Sequence, residues 1–453
     1  MPAKSPYEPL DYMKTILLFG AGKSATSLIG YLVELVTEKN WRLIVADSDE
    51  DLARSKIGDA SPVRATALGI KVEREDKREA VIRVADIVIS LLPPALHFLV
   101  AADCVKWGRH LLTASYLDDK IKSLEPGIRE KDLLFLCEMG LDPGIDHMSA
   151  MKLIGDIHER NGRIHSFQSH TGGLVAPESD DNPWHYKISW NPRNVVMAGS
   201  AGARYKENGK IETRSYEQLF EDCKEIEFEG VGRLAWYPNR DSLSYIPIYS
   251  LEETAVFIRT TLRYPAFCKA WLPIVRAGLT DDQASLDPGG LSFSKWSAPI
   301  LPFMNEDNRA ALEFLGLFGE GSVPASAKTS ADILQYLLET RLVMQPADKD
   351  MIVMRHELQY EIPIVDTGAA SGRAPAQRYK QEEVISSLIV KGEDNLHTAM
   401  ARTVGLPLGI AAKLILEGKI ALRGLHIPIL PEIYLPVLAE LESLGIRFEE
   451  TLR

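Results

Sequence analysis

The amino-acid sequence predicts an α/β protein that begins with a doubly wound, Rossmann-type parallel sheet. Short apolar strands alternate with amphipathic helices over residues 14–141, a pattern that places helices on both faces of a parallel sheet. The first strand runs directly into a glycine-rich turn that opens a helix. From Arg163 the segments become β-rich with polar and aromatic turns, which predicts a second, α+β domain with a mixed sheet. Helical periodicity over residues 265–342 adds a small helical insertion.

Length and charge limit the class of protein. The 453 residues are too many for one ordinary core, so two or three domains are expected. A net charge of −12 leaves no basic surface to neutralise phosphates, which argues against a nucleic-acid partner. No apolar run approaches the roughly 18 residues that span a bilayer, and residues 1–13 lack the apolar core of a signal peptide. We therefore expect a cytoplasmic protein with no membrane partner.

The four cysteines indicate neither a disulfide framework nor a zinc site. They are scattered without a Cys-x-x-Cys spacing, and we predict no metal site. They are Cys104, Cys137, Cys223 and Cys268.

A dinucleotide-binding fingerprint follows the strand predicted at Lys14–Phe19. Gly20 permits the tight turn, Gly22 lets the backbone approach a pyrophosphate, and Ala25 allows helix and strand to pack closely. The helix predicted at Ser24–Val36 directs its N-terminal amides at the phosphates. Such a motif alone also suits any tight turn, but its place between a strand and a helix favours a bound NAD or NADP.

Asp47 ends the second predicted strand, Arg42–Ala46. An acid at this place accepts hydrogen bonds from the adenosine ribose and repels a 2′-phosphate. The sequence therefore favours NAD as the cofactor, with NADP as the alternative. Asp47 could instead be a loop or capping residue.

Three further predicted strands carry polar or turn-forming residues at their carboxyl ends, where ligands bind in an open α/β sheet. These strands are Asp86–Leu92, His110–Ser115 and Leu133–Cys137. The residues expected along this edge are Leu92, Pro93, Ser115, Tyr116 and Gly140–Asp142. The two prolines after Leu92 could form a wall for the nicotinamide or simply end the strand.

The stretch from Glu138 to His147 packs two glycines, a proline and two aspartates between a buried strand and an amphipathic helix. Asp146 is predicted to N-cap the helix Met148–Ile157. Asp142 has no such structural role, and it is our candidate for handling a proton together with Tyr116.

Two arginines stand beside aromatic residues in the β-rich half, Arg240 in YPNRDS and Arg263 in TTLRY. A guanidinium recognises a planar carboxylate through two parallel hydrogen bonds. Two such residues in a protein with a dinucleotide site predict a substrate with more than one carboxylate. The alternative is structural pairing at strand ends, for example Arg240 with Asp241.

These motifs together resemble the glutamate-forming saccharopine dehydrogenases, also called saccharopine reductases, and especially the dehydrogenase half of the bifunctional lysine-degradation enzymes. The resemblance covers nearly the whole chain. The segments that carry it are LLFGAGKSA, DIVISLLPPALH, TASY, GLDPGIDHM, GGLVAPESDDNPWHYKISW, YPNRDS, TTLRY, KDMIVMRH and AMARTVGLPLGIAAKLILEGKI. Because the fingerprint lies close to the first residue, the lysine–oxoglutarate reductase half of those enzymes is expected to be absent.

The resemblance implies an oxidoreductase that uses NAD(P) to cleave saccharopine oxidatively into L-glutamate and 2-aminoadipate 6-semialdehyde. It also implies a homodimer of three-domain subunits. The expected domains are a dinucleotide-binding domain over 14–141 completed by 404–453, a substrate-binding and dimerisation domain over 142–264 and 343–403, and a helical domain over 265–342. Substrate contacts are implied at Ser115, Tyr116, Asp142, Arg240, Thr261, Leu262 and Arg263. From the motifs and the resemblance together, cofactor contacts are expected at Gly20, Gly22, Lys23, Ser24, Ala25, Asp47, Leu92, Pro93, Ala114, Gly140, Leu141, Asp142 and Trp190.

Two departures from the family pattern matter. Many relatives carry a cysteine before the paired glycines, where this chain has Thr171, so no thiol can shuttle a proton there. Fungal members use NADP and lack an acid at the position of Asp47, so their cofactor is not carried over. Two rival functions stay open: a related opine or carboxyspermidine dehydrogenase, whose substrate need not require both arginines, and a non-catalytic Rossmann protein that senses the dinucleotide.

Overall fold

The computed structural model describes residues 13–364 and 378–453, which form two compact units. The first unit comprises the chain up to Met148 together with Ala401–Leu441, and the second comprises Ser149–Met400 together with Glu442–Arg453. The N-terminal segment 1–13 and the loop that the sequence predicts over 368–378 lie outside the described residues, apart from Met13 and Arg378.

The secondary structure of the described residues is numbered in chain order. The strands are β1 (Thr15–Phe19), β2 (Arg42–Asp47), β3 (Ala65–Gly69), β4 (Ile87–Ser90), β5 (His110–Thr113), β6 (Leu134–Leu136), β7 (Arg163–Val175), β8 (Ala203–Glu207), β9 (Lys210–Arg214), β10 (Lys224–Phe228), β11 (Gly232–Pro238), β12 (Arg240–Asp241), β13 (Val256–Arg263), β14 (Asp350–Ile364), β15 (Arg378–Lys391), β16 (Gly424–His426) and β17 (Glu449–Leu452). The helices are α1 (Thr26–Lys39), α2 (Glu50–Ile57), α3 (Glu75–Ile82), α4 (Pro94–Trp107), α5 (Asp119–Lys122), α6 (Glu125–Glu130), α7 (Ile145–Glu159), α8 (Pro192–Val196), α9 (Gln218–Glu221), α10 (Pro265–Arg276), α11 (Phe293–Ser297), α12 (Glu306–Leu315), α13 (Ser330–Arg341), α14 (Ala399–Leu416) and α15 (Pro431–Ser443).

The sheet of the first unit has the strand order β16-β6-β5-β4-β1-β2-β3, and its neighbouring strands are parallel. The chain moves outward from β1 to β3 and then returns to continue with β4 on the other side of β1. This reversal leaves a crevice at the carboxyl ends of β1 and β4, where dinucleotides bind in such folds. Ile16, Leu17 and Leu18 are fully buried, as expected for a strand with helices on both faces. The predicted doubly wound fold is confirmed.

One long helix, α14, lies where the sequence predicts two short helices, over His397–Thr403 and Ile410–Leu416. Gly405, Pro407 and Gly409 lie within this helix. Both glycines allow close packing on α1. A Cβ on Gly405 would lie 2.9 Å from Leu28 Cβ, and one on Gly409 would lie 2.6 Å from Tyr31 Cδ1. By length and composition α14 could cross a membrane, which corrects the expectation that no segment qualifies. However, 78% of the helix is buried inside the protein, as is typical of a helix in a protein core.

The second unit holds a ten-stranded mixed sheet. Its main path is β10-β11-β13-β7-β14-β15-β17, and β8, β9 and β12 pair beside it. Strands β7 and β13 are parallel, whereas β13 with β11 and β14 with β7 and β15 are antiparallel. One face of the sheet carries an apolar cluster that includes Leu234, Trp236 and Leu262.

The two units differ from the predicted domains at several boundaries. Residues 142–148, including Asp142, and residues 401–403 belong to the first unit and not to the predicted substrate-binding domain. The residues after Leu441 belong to the second unit, because β17 pairs with Val384–Ser387 of β15. Helices α10–α13 do not separate from that unit, because Phe267 and Leu334 share one apolar core with Tyr237 of the sheet. The role assigned to each region stays a prediction.

Candidate active site

The fingerprint loop connects β1 to α1 in the first unit. Gly20 has a φ of +101°, and a Cβ there would lie 2.8 Å from the carbonyl oxygen of Leu91, so this position requires glycine. A Cβ on Gly22 would meet no described atom within 4 Å, so packing within the chain does not explain that glycine. The fit to a pyrophosphate lying against the backbone is therefore good. Residues Lys23–Ala25 form a 3₁₀ turn, so α1 begins at Thr26 rather than at Ser24 as predicted.

Asp47 lies half-buried at the end of β2, beside the fingerprint loop. Its Oδ2 accepts a hydrogen bond from the amide of Ala21 at 2.6 Å. Its Oδ1 accepts hydrogen bonds from the amide of Asp49 at 3.0 Å and from the hydroxyl of Ser48 at 3.3 Å. The predicted ribose-binding carboxylate therefore also holds the fingerprint loop against the end of β2.

Lys56 on α2 reaches the same loop, and it is not among the residues predicted from the sequence. Its Nζ donates a hydrogen bond to the carbonyl oxygen of Gly22 at 2.5 Å. Burial lowers the pKa of Lys56 to about 8, although the negative charge of Asp47 acts in the opposite direction. No sequence signal marks this residue, because it lies 34 positions from Gly22 along the chain.

The carboxyl end of β4 and the loop after β5 hold three predicted cofactor contacts. Leu92 and Ala114 are half-buried, and Pro93 is exposed. Pro93 is the N-cap of α4 and Pro94 is its first residue, so the helix begins before the predicted Leu96. Gly140 packs against Ala114, because a Cβ on Gly140 would lie 3.0 Å from Ala114 Cβ.

A buried histidine on α4 orients Ser115, one of the predicted substrate contacts. His97 Nδ1 lies 2.8 Å from Ser90 Oγ, and His97 Nε2 lies 2.7 Å from Ser115 Oγ. Burial lowers the pKa of His97 to about 4, so the ring is neutral at pH 7 and has one donor and one acceptor nitrogen. The helical spacing of His97 with the buried residues Val100 and Cys104 could have indicated that it faces the sheet.

Tyr116 and Asp142, the two residues predicted to handle protons, are in contact. The hydroxyl of Tyr116 donates a hydrogen bond to Asp142 Oδ1 at 3.1 Å, and both side chains are half-buried. The turn that presents Asp142 is closed by the amide of Gly140, which donates to the carbonyl of Pro143 at 2.9 Å. Gly144 has a φ of +147°, and a Cβ there would lie 2.1 Å from the carbonyl oxygen of Gly140. The compact Gly/Pro/Asp turn therefore depends on glycine at position 144. Leu141 within it is buried.

Behind this turn lies a buried cluster of Glu138, Asp146 and His147. Glu138 accepts a hydrogen bond from the amide of Leu117 at 2.9 Å, and its other oxygen lies 2.8 Å from His147 Nε2. It thereby ties the loop after Tyr116 to α7. Asp146 does not N-cap a helix starting at Met148 as predicted, because α7 already begins at Ile145. Its Oδ1 instead accepts a hydrogen bond from the amide of Gly144 at 2.6 Å.

In the second unit, Arg263 is a buried guanidinium, only 4% exposed. One terminal nitrogen donates to the backbone carbonyl of Leu262 at 2.8 Å. The group also stands over the rings of Tyr186 and Phe267, at 5.5 and 5.3 Å from the ring centroids. Its Nε is buried with no hydrogen-bond partner, and no described carboxylate forms an ion pair with it. A buried charge of this kind is unfavourable unless a partner of opposite charge is supplied.

Thr261, Arg263 and Thr171 share one face of the mixed sheet. Thr261 stands opposite Thr171 on the parallel neighbouring strand, and residues two apart on a strand point to the same face. Thr171 is buried, and its hydroxyl has no hydrogen-bond partner among the described residues. Leu262 points to the other face, into the apolar cluster with Trp236. Its side chain therefore does not fit the substrate contact that the resemblance implies.

Trp190 lies close to this group in the second unit. Its indole N–H donates to the hydroxyl of Tyr186 at 3.0 Å, and Tyr186 in turn lies beneath the guanidinium of Arg263. The predicted cofactor contact and the predicted carboxylate-binding arginine are thus linked through one tyrosine.

The two predicted arginines differ in their surroundings. Arg263 pairs with Ala235 on β11, whereas Arg240 follows the end of that strand and is exposed, with a φ of +49°. Asp241, the example given for a structural partner of Arg240, lies 3.8 Å from Arg204. Arg263 is therefore the buried member of the predicted pair, and Arg240 is the exposed one.

Two family models match the chain. The saccharopine dehydrogenase NADP binding domain matches residues 16–136, and the saccharopine dehydrogenase C-terminal domain matches residues 140–446. Alpha-aminoadipic semialdehyde synthase of Arabidopsis thaliana is 32% identical, over 96% of this chain and 44% of its own length. Saccharopine dehydrogenase (NADP(+), L-glutamate-forming) of Saccharomyces cerevisiae is 31% identical, over 96% of this chain and 99% of its own length.

A solved structure is also similar. It is the apo histidine-tagged saccharopine dehydrogenase (L-Glu forming) from Saccharomyces cerevisiae, which superposes with a TM-score of 0.83 at 30% sequence identity. The alignment covers 97% of this chain and 100% of that chain. This chain spans about half the length of the semialdehyde synthases that it matches, between 44% and 47%.

The Rossmann sheet, its fingerprint and the edge residues define a dinucleotide-binding protein of the oxidoreductase class. The chain belongs to the saccharopine dehydrogenase family, as the two family models and the full-length relatives establish. The predicted resemblance is confirmed. The family's first domain is named for NADP, so a dinucleotide is supported and a preference for NAD is not.

Proposed function

We propose that this protein is an L-glutamate-forming saccharopine dehydrogenase. In this reaction saccharopine and water are converted with NAD(P) into L-glutamate and 2-aminoadipate 6-semialdehyde. The observation that carries the proposal is Arg263, a buried guanidinium with an unmatched Nε and no described carboxylate partner. Saccharopine has three carboxylates and can supply the missing negative charge. The exposed Arg240 and the half-buried Thr261 would contact other polar groups of the substrate.

A bound NAD(P) would supply the hydride acceptor for the substrate carbon next to the secondary amine. The chain must orient that C–H bond, take the amine proton and direct water at the resulting imine. We assign the proton to Asp142, whose carboxylate is half-buried and already accepts from the Tyr116 hydroxyl. The carboxylate also stabilises a positively charged amine before the proton leaves. Ser115, which contacts the neutral His97, would hold a polar group of the substrate.

We propose NAD as the preferred cofactor and NADP as a second one. Asp47, a carboxylate at the end of β2 beside the fingerprint, favours NAD because it repels a 2′-phosphate. The fungal relatives are named as NADP(+) enzymes, which supports NADP as the second cofactor. We further propose a cytoplasmic homodimer that acts on small molecules and has neither nucleic acid nor membrane as a partner, as expected from the charge and the family resemblance.

The test is an absorbance assay at the reduced-nicotinamide band with the purified chain. We expect cofactor reduction with saccharopine, and the reverse change with semialdehyde plus glutamate. Carboxyspermidine and other opines serve as alternative substrates, and faster turnover of one of them would favour the related dehydrogenase. A chain that binds the dinucleotide but turns over none of these compounds would be a sensor instead.

A further inference from the structure

Lys56 has more hydrogen-bonding capacity than the described chain uses. Its ammonium group has three N–H donors, and one of them points at the carbonyl of Gly22 at 2.5 Å. Within residues 13–364 and 378–453, this bond is the one hydrogen bond of the Lys56 side chain, and no carboxylate forms an ion pair with it. The side chain is nevertheless half-buried, so its stem is held in place and its head remains within reach of a ligand.

The surroundings of Lys56 contrast with those of Arg54, its neighbour on the same helix. Arg54 is exposed, and its guanidinium pairs with Glu50 on the outer surface of α2. Lys56 instead reaches the glycine whose added Cβ would meet nothing in the chain. The positive charge of Lys56 thus lies at the place where the backbone is open to a phosphate-bearing ligand.

Asp47 contacts the same loop from the other side. Its carboxylate binds the amide of Ala21, while Lys56 binds the carbonyl of Gly22, the next residue. The two charges also interact electrostatically, because Asp47 raises the pKa of Lys56 against the effect of burial. The carboxylate of Asp47 repels a phosphate group, and the ammonium group of Lys56, which contacts the same loop, offsets that repulsion.

We propose that Lys56 binds the phosphate on the adenosine 2′ position of NADP and so admits NADP to a site where Asp47 favours NAD. This inference rests on the proposed dinucleotide-dependent function and concerns its cofactor alone. The competing explanation is that Lys56 only holds the loop through Gly22. A loop role would change the affinity for both cofactors equally, since both contain the same pyrophosphate.

The experiment measures dissociation constants of NADPH and NADH by nucleotide fluorescence on the full chain, without any substrate. We expect Lys56→Met to raise the Kd of NADPH about tenfold while the Kd of NADH changes less than about twofold. Lys56→Arg keeps the charge and should retain NADPH binding. Arg54→Met removes a positive charge from the same helix and should leave both constants unchanged.

The proposal fails if Lys56→Met leaves NADPH binding intact, if it weakens both cofactors by the same factor, or if Arg54→Met gives the same loss. It also fails if the wild-type chain binds NADH but not NADPH, or neither. Turnover of saccharopine is measured separately on the same preparations. Selective NADPH loss in Lys56→Met without saccharopine turnover by the wild type would refute the proposed reaction and support the cofactor role of Lys56.

Discussion

Asp47 and Arg263 are two charged residues that the sequence assigns to a ligand, and their surroundings are opposite. Asp47 is half-buried, and both of its carboxylate oxygens accept hydrogen bonds from its own chain. Arg263 is almost fully buried, and its Nε has no acceptor among the described residues. The first group is satisfied without a ligand, and the second is not.

The difference decides how strongly each residue indicates function. A carboxylate with internal partners is stable whether or not a ribose binds, so the assignment of Asp47 depends on its position after β2. A buried guanidinium without a carboxylate carries a desolvation penalty of several kcal/mol. That penalty is offset when an anionic ligand binds, so Arg263 indicates a ligand by its energetics and not only by its position.

A substitution of Asp142 should have the largest effect. Asp142 is half-buried like Asp47, but its carboxylate accepts a hydrogen bond from a side chain, the hydroxyl of Tyr116. We expect Asp142→Asn to lower kcat/KM for saccharopine by about 10²–10⁴-fold, the usual contribution of a general acid–base group. The amide keeps the size of the side chain but lacks its basicity. Steady-state kinetics and a melting curve on the same preparation measure the effect, and thermal stability should change little.

The matched control for Asp142 is Asp146→Ala in the same turn. Asp146 is 1% exposed and accepts from the Gly144 amide, so its removal leaves a buried donor unpaired. This should cost about 1–3 kcal/mol of stability with a milder kinetic effect. A fully active Asp142→Asn beside an Asp146→Ala variant that loses turnover at normal stability would reverse the two assignments.

Arg263 and Arg240 form the second test. Arg263→Met should raise KM for saccharopine by an amount equivalent to about 2–5 kcal/mol, because one partner of a desolvated charge pair is removed. The unfolding free energy should stay level or rise, since a buried unpaired charge is replaced by an apolar side chain of similar volume. Isothermal chemical denaturation measures the stability change alongside the kinetics.

Arg240→Met is the matched variant at a solvent-exposed arginine. An exposed ion pair between Arg240 and a substrate carboxylate should contribute only about 0–1 kcal/mol to substrate binding, so the change in KM should be small. Equal KM changes in the two variants would contradict the argument from burial. A normal KM together with reduced stability in Arg263→Met would make this arginine structural.

His97 provides a third, smaller test through pH. Its pKa is lowered from 6.5 to about 4, so between these values the unfolded chain binds a proton that the folded chain does not. Folding stability should therefore fall as the pH falls from 6.5 towards 4, by at most about 1.4 kcal/mol per pH unit for this group. His97→Gln should flatten the curve relative to the wild type. The pKa of His170 is lowered to about 3, and this residue contributes equally to the pH dependence of the wild type and of His97→Gln. Identical slopes of stability against pH in the two proteins would show that His97 is not held neutral.

Asp47→Ala should have the smallest effect. Loss of the carboxylate removes the repulsion of the 2′-phosphate and one hydrogen bond to the fingerprint loop. The ratio of kcat/KM for NAD to that for NADP should therefore fall roughly fivefold, which corresponds to about 1 kcal/mol. The measurement compares kcat/KM for NAD and NADP in both proteins. A wild type that already prefers NADP would overturn the assignment of NAD from Asp47.

Local patterns determined much of this protein from the sequence. The alternation of strands and helices, the fingerprint at Gly20–Ala25 and the Gly/Pro/Asp turn around Asp142 are encoded by neighbouring residues, and the fold and the family followed from them. The contact between Tyr116 and Asp142 could also be expected, because the carboxyl ends of β5 and β6 meet at one edge of the sheet.

Only the tertiary structure decided which charged and polar groups have partners. The bond of Lys56 to Gly22 and the contact of His97 with Ser115 join different elements, and a pattern of nearby residues does not report them. The orientation of Leu262 depends on the register of β13 against β7, since a shift of one residue would exchange the two faces. The burial of Arg263 depends on rings from two other segments. The burial and the hydrogen-bond partners of a side chain depend on contacts with residues far apart in the sequence. These contacts exist only in the folded unit, so local sequence patterns do not predict them.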